Sequence, residues 1–212
     1  MHIAEIWRYP VKSMAGERLE RAEIGSDGIA GDRIALVTRG GRIITSRTHS
    51  RLLAHHATIG SGGQPFVDGQ PWNSPLVAQW VLEAAGEGAR IVRHDGPERF
   101  DILPLLVATD GAIDALGEDG RRLRPNIVIG GVEGLAERTW EGKSLRIGDV
   151  TIAIRDLRQR CVMTTFHPDT LVQDTKVLRR LVREFGGSMA LNCSVSAPGV
   201  VQLGDQVDIF ER

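Results

Sequence analysis

Ser144-Leu145-Arg146-Ile147-Gly148-Asp149-Val150-Thr151-Ile152-Ala153-Ile154 consists of two apolar runs, 144–147 and 150–154, on either side of a Gly-Asp pair. Runs of this kind around two turn-forming residues predict an antiparallel hairpin. Gly40-Gly41 repeats the signal between 33–38 and 42–46. The first residues, His2 to Tyr9, alternate apolar and polar and read as a strand closed by Pro10. Short strands are also expected at 18–24, 55–59, 91–92, 126–129, 190–195 and 207–210. Gly25-Ser26-Asp27-Gly28, Gly31-Asp32 and Gly60-Ser61-Gly62-Gly63 punctuate the early ones.

The period changes in three places. Pro75 opens a helix to Gly86, with Leu76, Val77, Trp80, Val81 and Ala84 as its apolar stripe. Thr109 reads as the N-cap of a helix from Asp110 to Leu116, stopped by Gly117. Asp174 to Phe185 is a basic amphipathic helix ended by Gly186-Gly187. The balance is β-rich α+β: a β-barrel core with helices packed outside it. Two regions are expected, a smaller β-rich unit over 1–95 and a barrel over 96–212. No tandem repeat or low-complexity segment interrupts them.

With 212 residues, 42% hydrophobic and 25% charged, the chain has the composition and size of a globular protein with a sizeable core. A net charge of −1 gives no global attraction to nucleic acid or to a membrane surface. No apolar run is long enough to span a bilayer. The start, Met1-His2-Ile3-Ala4-Glu5-Ile6, lacks the basic and apolar regions of a signal peptide. With only two cysteines, this predicts a reducing, cytoplasmic setting.

Cys161 is the residue with the most chemistry to offer. It lies in Arg158-Gln159-Arg160-Cys161-Val162-Met163-Thr164-Thr165. A lone thiol beside arginines belongs to no disulfide framework or multi-cysteine zinc site. Cationic surroundings favour thiolate, a nucleophile and a soft ligand for heavier transition metals. The bland alternative is a small buried hydrophobe. Other basic segments sit at loop–strand junctions. In Tyr9-Pro10-Val11-Lys12-Ser13 an ammonium neighbours a hydroxyl, which suits an anion, though by itself the segment reads first as a solvated lysine after a strand. In Gly31-Asp32-Arg33, Arg33 offers a phosphate fork or a scaffold pair with Asp32. In Arg121-Arg122-Leu123-Arg124-Pro125-Asn126 the proline predicts an extended Arg124, with Asn126 adding donors and acceptors. Separated cations plus one thiol fit one anionic cofactor carrying one soft metal. Arg33, Arg124, Lys12 and Cys161 are therefore expected on a single cleft between the N-terminal unit and the barrel.

These segments resemble the MOSC family, in particular its branch with an N-terminal β-barrel domain that includes the mitochondrial amidoxime-reducing components. The resemblance runs through Tyr9–Ser13, Gly31–Arg33, Arg122–Ile129, Leu145–Asp149, Arg160–Thr165 with Pro168-Asp169, and Pro198-Gly199 with Leu203-Gly204-Asp205. It implies a MOSC-type β-barrel and a molybdenum cofactor, a pterin dithiolene with a phosphate. Position by position, it implies that Cys161 is the molybdenum ligand and the catalytic thiolate. Lys12, Ser13, Arg33, Arg124, Asn126 and Arg160 would hold pterin and phosphate. Thr109 falls where relatives place small hydroxyl residues near the cofactor. The implied activity is reduction of small N-hydroxylated compounds with electrons from an external ferredoxin- or flavin-type reductase. The alternatives are a carrier of the cofactor, or of sulfur on Cys161, and a structural protein with a vestigial site. The chain departs from the family pattern at Met14, Arg158 and Phe166-His167, where relatives often have cysteine, cysteine and Val-Asp.

Overall fold

The computed structural model describes residues 1–211. Its centre is an eight-stranded sheet. In spatial order its strands are Asp208–Phe210, Ser144–Ile147, Val150–Gln159, Ser188–Ala197, Leu105–Thr109, Ile127–Gly130, His2–Arg8 and Glu17–Leu19. The predicted hairpin pairs Ser144 with Ala153 and Ile147 with Val150. Its turn uses Gly148 at φ 56°, a left-handed position open to glycine. The sheet curls until its ends meet: Ile3 N–H donates to Asp205 O (2.9 Å) and Val207 N–H to Met1 O (3.0 Å). A small sheet of Gly199–Gln202, Arg21–Gly25 and Gly28–Ile29 covers the remaining side. The enclosed core joins Ile3, Ile6, Ile24, Leu105, Val107, Ile127, Leu145, Ile152, Leu191 and Val201. The protein is thus a β-rich barrel with three α-helices among the described residues. Among the described residues, no helix is long and apolar enough to cross a membrane.

The expected division at residue 95 does not follow the strand pairing. His2–Arg8 is hydrogen-bonded between Ile127–Gly130 and Glu17–Leu19, and Arg21–Gly25 pairs with Gly199–Gln202. Ile3 and Ile6 belong in the barrel core, so the first strand finds one of its two partner strands more than 100 residues away. A second, smaller sheet lies beyond these strands. There, Ala35–Arg39 pairs with Arg42–Ile44 and with Ala89–Arg93. Helix α1 (Pro75–Ala85) closes a second core with Val37, Leu52, Val67, Val77 and Val81.

Two more helices clad the barrel. In α2 (Asp110–Leu116) the Thr109 hydroxyl accepts from Ala112 N–H and Gly117 terminates at φ 64°. In α3 (Thr175–Phe185) the Asp174 carboxylate caps Lys176 N–H. The barrel strand beneath them is Leu105–Thr109, which the sequence pattern hides. Leu105 and Val107 face the barrel core, while Leu106 and Ala108 face the helices. A strand buried on both sides shows no alternation.

The start of α2 is clamped to the following loop. Asp110 accepts from Gly131 N–H (2.6 Å) and Val132 N–H (3.0 Å). A methyl on Gly111 would lie 2.2 Å from Val132 O and 2.6 Å from Gly134 O. Those are backbone atoms that cannot rotate away. Gly111→Ala is expected to cost about 2–3 kcal/mol, in the range of overpacking substitutions, measured by urea unfolding against the wild type.

Candidate functional site

The cleft lies where the N-terminal unit meets the barrel. Lys12, Ser13, Arg33, Arg124, Asn126, Arg160 and Cys161 all line it. Arg47, Asp101, Arg122, Arg158, Met163 and Asn192 join them. Seven cationic side chains therefore face one carboxylate, Asp101, among the described lining residues. Thr109 does not line it. Its hydroxyl donates to Glu137 Oε2 (2.7 Å) and caps α2, at zero exposure. The small hydroxyl at this position is a helix cap, and its side chain points into packed structure.

Ser13, Arg33 and Arg124 all adopt positive φ, at 74°, 52° and 56°. Non-glycine residues rarely do so, and such positions concentrate at functional sites. Arg124 corrects an expectation. It sits in the left-handed region at ψ 49°, ending the short 3-10 turn Gly120–Leu123, and is not extended before Pro125. Steric exclusion by proline disfavours the right-handed region. The left-handed alternative is held by Arg124 N–H to Arg121 O (3.0 Å) and by its guanidinium donating to Met14 O (2.7 Å).

Tyr9 organises the cationic wall. Its ring lies 4.3 Å from the Arg124 guanidinium carbon and 5.3 Å from that of Arg33. Its hydroxyl donates to Pro125 O (3.2 Å). Burial pushes the phenol up to about 12, against the pull of the two arginines. Arg33 is also tied to Asp32, whose other oxygen accepts from Tyr9 N–H (2.7 Å).

Asn126 is fully buried, and the structure gives its amide a scaffold task. Oδ1 accepts from Leu106 N–H (3.1 Å) and Nδ2 donates to Trp7 O (3.3 Å). It pins the first strand to Leu105–Thr109 behind Arg124.

Cys161 is half-buried and precedes the 3-10 turn Val162–Thr165, where its carbonyl accepts from Thr164 N–H and Oγ1. Next to it, Arg160 donates to Leu123 O (2.7 Å), and its Nε is shielded from solvent with no acceptor. Burial pulls the Arg160 guanidinium down to about 10, and Arg158 adds to this. Burial also lowers Arg124. Neither Arg124 nor Arg160 has a carboxylate within ion-pair distance among the described residues. Such groups invite an anion, because a cation at depth without a counter-charge is costly. Among the described residues no three His, Cys, Asp or Glu side chains converge as a metal site. Cys161 would serve a metal as a single protein ligand.

A model of the MOSC domain matches residues 110–208, and one of the MOSC N-terminal beta barrel domain matches residues 1–70. The chain is a MOSC-domain protein. Mitochondrial amidoxime reducing component 2 of Macaca fascicularis is 27% identical to it, over 82% of this chain and 69% of that protein. Human mitochondrial amidoxime-reducing component 1 is 25% identical, over 82% and 68%. The crystal structure of the YUAD protein from Bacillus subtilis superposes with a TM-score of 0.56 at 12% identity, covering 100% of this chain and 96% of that one. This likeness extends to the fold alone.

Asp101, Arg47 and Met163 were not marked as site residues by sequence. Asp101 pairs with Lys12 (3.0 Å), Arg47 (3.0 Å) and Arg158 (3.4 Å). Partners at 12, 47 and 158 leave no local pattern to read. Burial pushes the Asp101 carboxyl upward, but Lys12, Arg47 and Arg158 outweigh it and hold it down at about 2. A carboxyl lowered in the folded state stabilises the fold above its unfolded value and loses that contribution as pH falls toward the folded value. The wild type should therefore lose more stability than Asp101→Asn between about pH 4 and pH 2. Paired thermal melts across that window check it. Equal losses would show that the three ion pairs contribute nothing to stability.

Proposed function

We propose that the MOSC cleft holds the anionic pterin of a molybdenum cofactor and that Cys161 gives the metal its thiolate, in an enzyme that reduces N-hydroxylated compounds. The observation that carries this reading is the pair Arg124 and Arg160. Both are guanidinium groups with no carboxylate at ion-pair distance among the described residues, on the same cleft as the half-buried thiol. Arginine forks suit phosphate and other planar anions, and thiolate suits a soft metal. Three left-handed residues lining the cleft support it, since such strain persists only where the surroundings over-determine it. The substrate class follows the names of the relatives, since an amidoxime carries an N–OH group.

When bound, a molybdenum pterin supplies two-electron oxygen-atom chemistry. The chain's own residues have separate tasks. Lys12, Ser13, Arg33, Arg124 and Arg160 bind and orient the anion. Tyr9 leans on Arg33 and Arg124 and fixes their direction. Asn126 acts through the backbone, holding the first strand against the barrel. An external ferredoxin- or flavin-type reductase delivers the electrons. A second reading, delivery of the cofactor or of sulfur on Cys161, draws on the partial exposure of that thiol.

Protein purified from a host that makes the cofactor should contain molybdenum and should reduce an amidoxime with an artificial electron donor. Metal without turnover would favour the carrier, and absence of both would overturn the cofactor reading. Cys161→Ser nearly conserves volume at a half-buried position. Its unfolding free energy should stay within about 1 kcal/mol of wild type, while molybdenum content and turnover both collapse. A destabilised variant of a protein that carries no molybdenum would instead mark Cys161 as a packing residue.

A further inference from the structure

The cleft contains its own anion. The segment Glu98–Leu103 crosses it at the surface, with Glu98, Asp101 and Ile102 exposed and Arg99 buried as its anchor. Lys12 is saturated by this segment. Its ammonium donates to Glu98 O (3.2 Å) and Arg99 O (2.9 Å) and pairs with Asp101. Arg47 and Arg158 complete a three-cation grip on the same carboxylate. Leu103 also lines the cleft. With this strap in place the cavity is about 70 Å³. That holds a few waters, far less than the roughly 300–1,000 Å³ of a site for a cofactor-sized ligand.

We propose that the strap Glu98–Leu103 is a built-in competitor that makes the cleft selective for phosphate-bearing ligands: Asp101 stands in for the ligand's anionic group and must leave Lys12, Arg47 and Arg158 before that group enters. The inference rests on the proposed role of the cleft as an anionic-cofactor site. The selectivity follows from which cations Asp101 reaches. A single carboxylate satisfies Lys12, Arg47 and Arg158 but leaves Arg124 and Arg160 without a counter-charge. A monoanion that merely replaced Asp101 would gain no new contact. A phosphate brings more negative charge and more acceptor oxygens than a carboxylate, for which Arg124 and Arg160, on the same cleft, are further donors. Exchange is favourable for the phosphate and near neutral for the monoanion.

The probes are inorganic phosphate and acetate, titrated calorimetrically into cofactor-free wild type and Asp101→Asn. Hydrogen exchange is followed in the wild type with and without phosphate. Phosphate should bind wild type measurably better than acetate. Asp101→Asn should bind phosphate about tenfold more tightly or better, because the freed cations no longer need to be won from a carboxylate. Phosphate should speed amide exchange at 98–103 in the wild type as the strap is released, and slow it around Arg124 and Arg160. If phosphate binds while exchange at 98–103 slows, or if Asp101→Asn binds it no better, Asp101 is a fixed brace. That result overturns this inference and leaves the cofactor reading standing. If phosphate binds neither the wild type nor an Asp101→Asn protein with a normal melt, both readings fall. The exchange measurement needs no variant, so it decides even if Asp101→Asn does not fold.

Discussion

Asn126 is the node on which the site depends. Its backbone accepts from Trp7 N–H (2.8 Å) and donates to Leu106 O (2.7 Å), and its side chain bonds the same two residues in the opposite sense. One fully buried residue thereby fastens His2–Arg8 to Leu105–Thr109, from opposite sides of the Ile127–Gly130 strand it introduces. Every polar group of the side chain that reaches into the interior is matched to a backbone partner, the condition under which a buried amide is tolerable. The segments flanking this node, Tyr9–Ser13 after the first strand and Arg124–Pro125 before Asn126, are carried to the cleft by it. The Tyr9 hydroxyl on Pro125 O and the Tyr9 ring against Arg124 follow from that register.

From there the electrostatics accumulate. A protein with a net charge of −1 concentrates seven cations on one small concavity. The fold meets part of the cost internally, through Asp32 on Arg33, Glu118 on Arg122 and Asp101 on three groups. It leaves Arg124 and Arg160 with carbonyl oxygens alone. Carbonyls satisfy hydrogen-bonding geometry but not charge. The cleft is therefore incomplete as a structural ion-pair network, and its deficit has the sign and the fork geometry of a phosphate or pterin ligand.

The elements that were legible carry their instructions locally. Pro75, Thr109 and Asp174 mark the helix starts in the sequence, and in the structure the side chains of Ser74, Thr109 and Asp174 cap the first turns. Gly40-Gly41 and Gly148-Asp149 announce turns, with Gly40 at φ 56°, Gly41 at 76° and Gly148 at 56°. Leu105–Thr109 was illegible as a strand because both its faces are buried, so the period of two is absent. Arg124 departs from the extended conformation that Pro125 predicts, because the proline rule excludes one region and does not choose among the rest. Thr109, which the resemblance places near the cofactor, caps α2 and lies off the cleft lining.

The amino-acid sequence determined the helices, the hairpins, the β-rich class and the presence of several cationic segments with one candidate thiol. All of these are set by the propensity, capping and chemistry of neighbouring residues. Tertiary structure alone decided that the first strand belongs to the barrel, that Asn126 is a latch, and that Lys12, Arg47 and Arg158 converge on Asp101. These contacts join residues up to about 120 positions apart. No local preference specifies such pairs. They exist because the barrel core can close only when the first strand enters it, and that closure carries the charged loops onto one cleft.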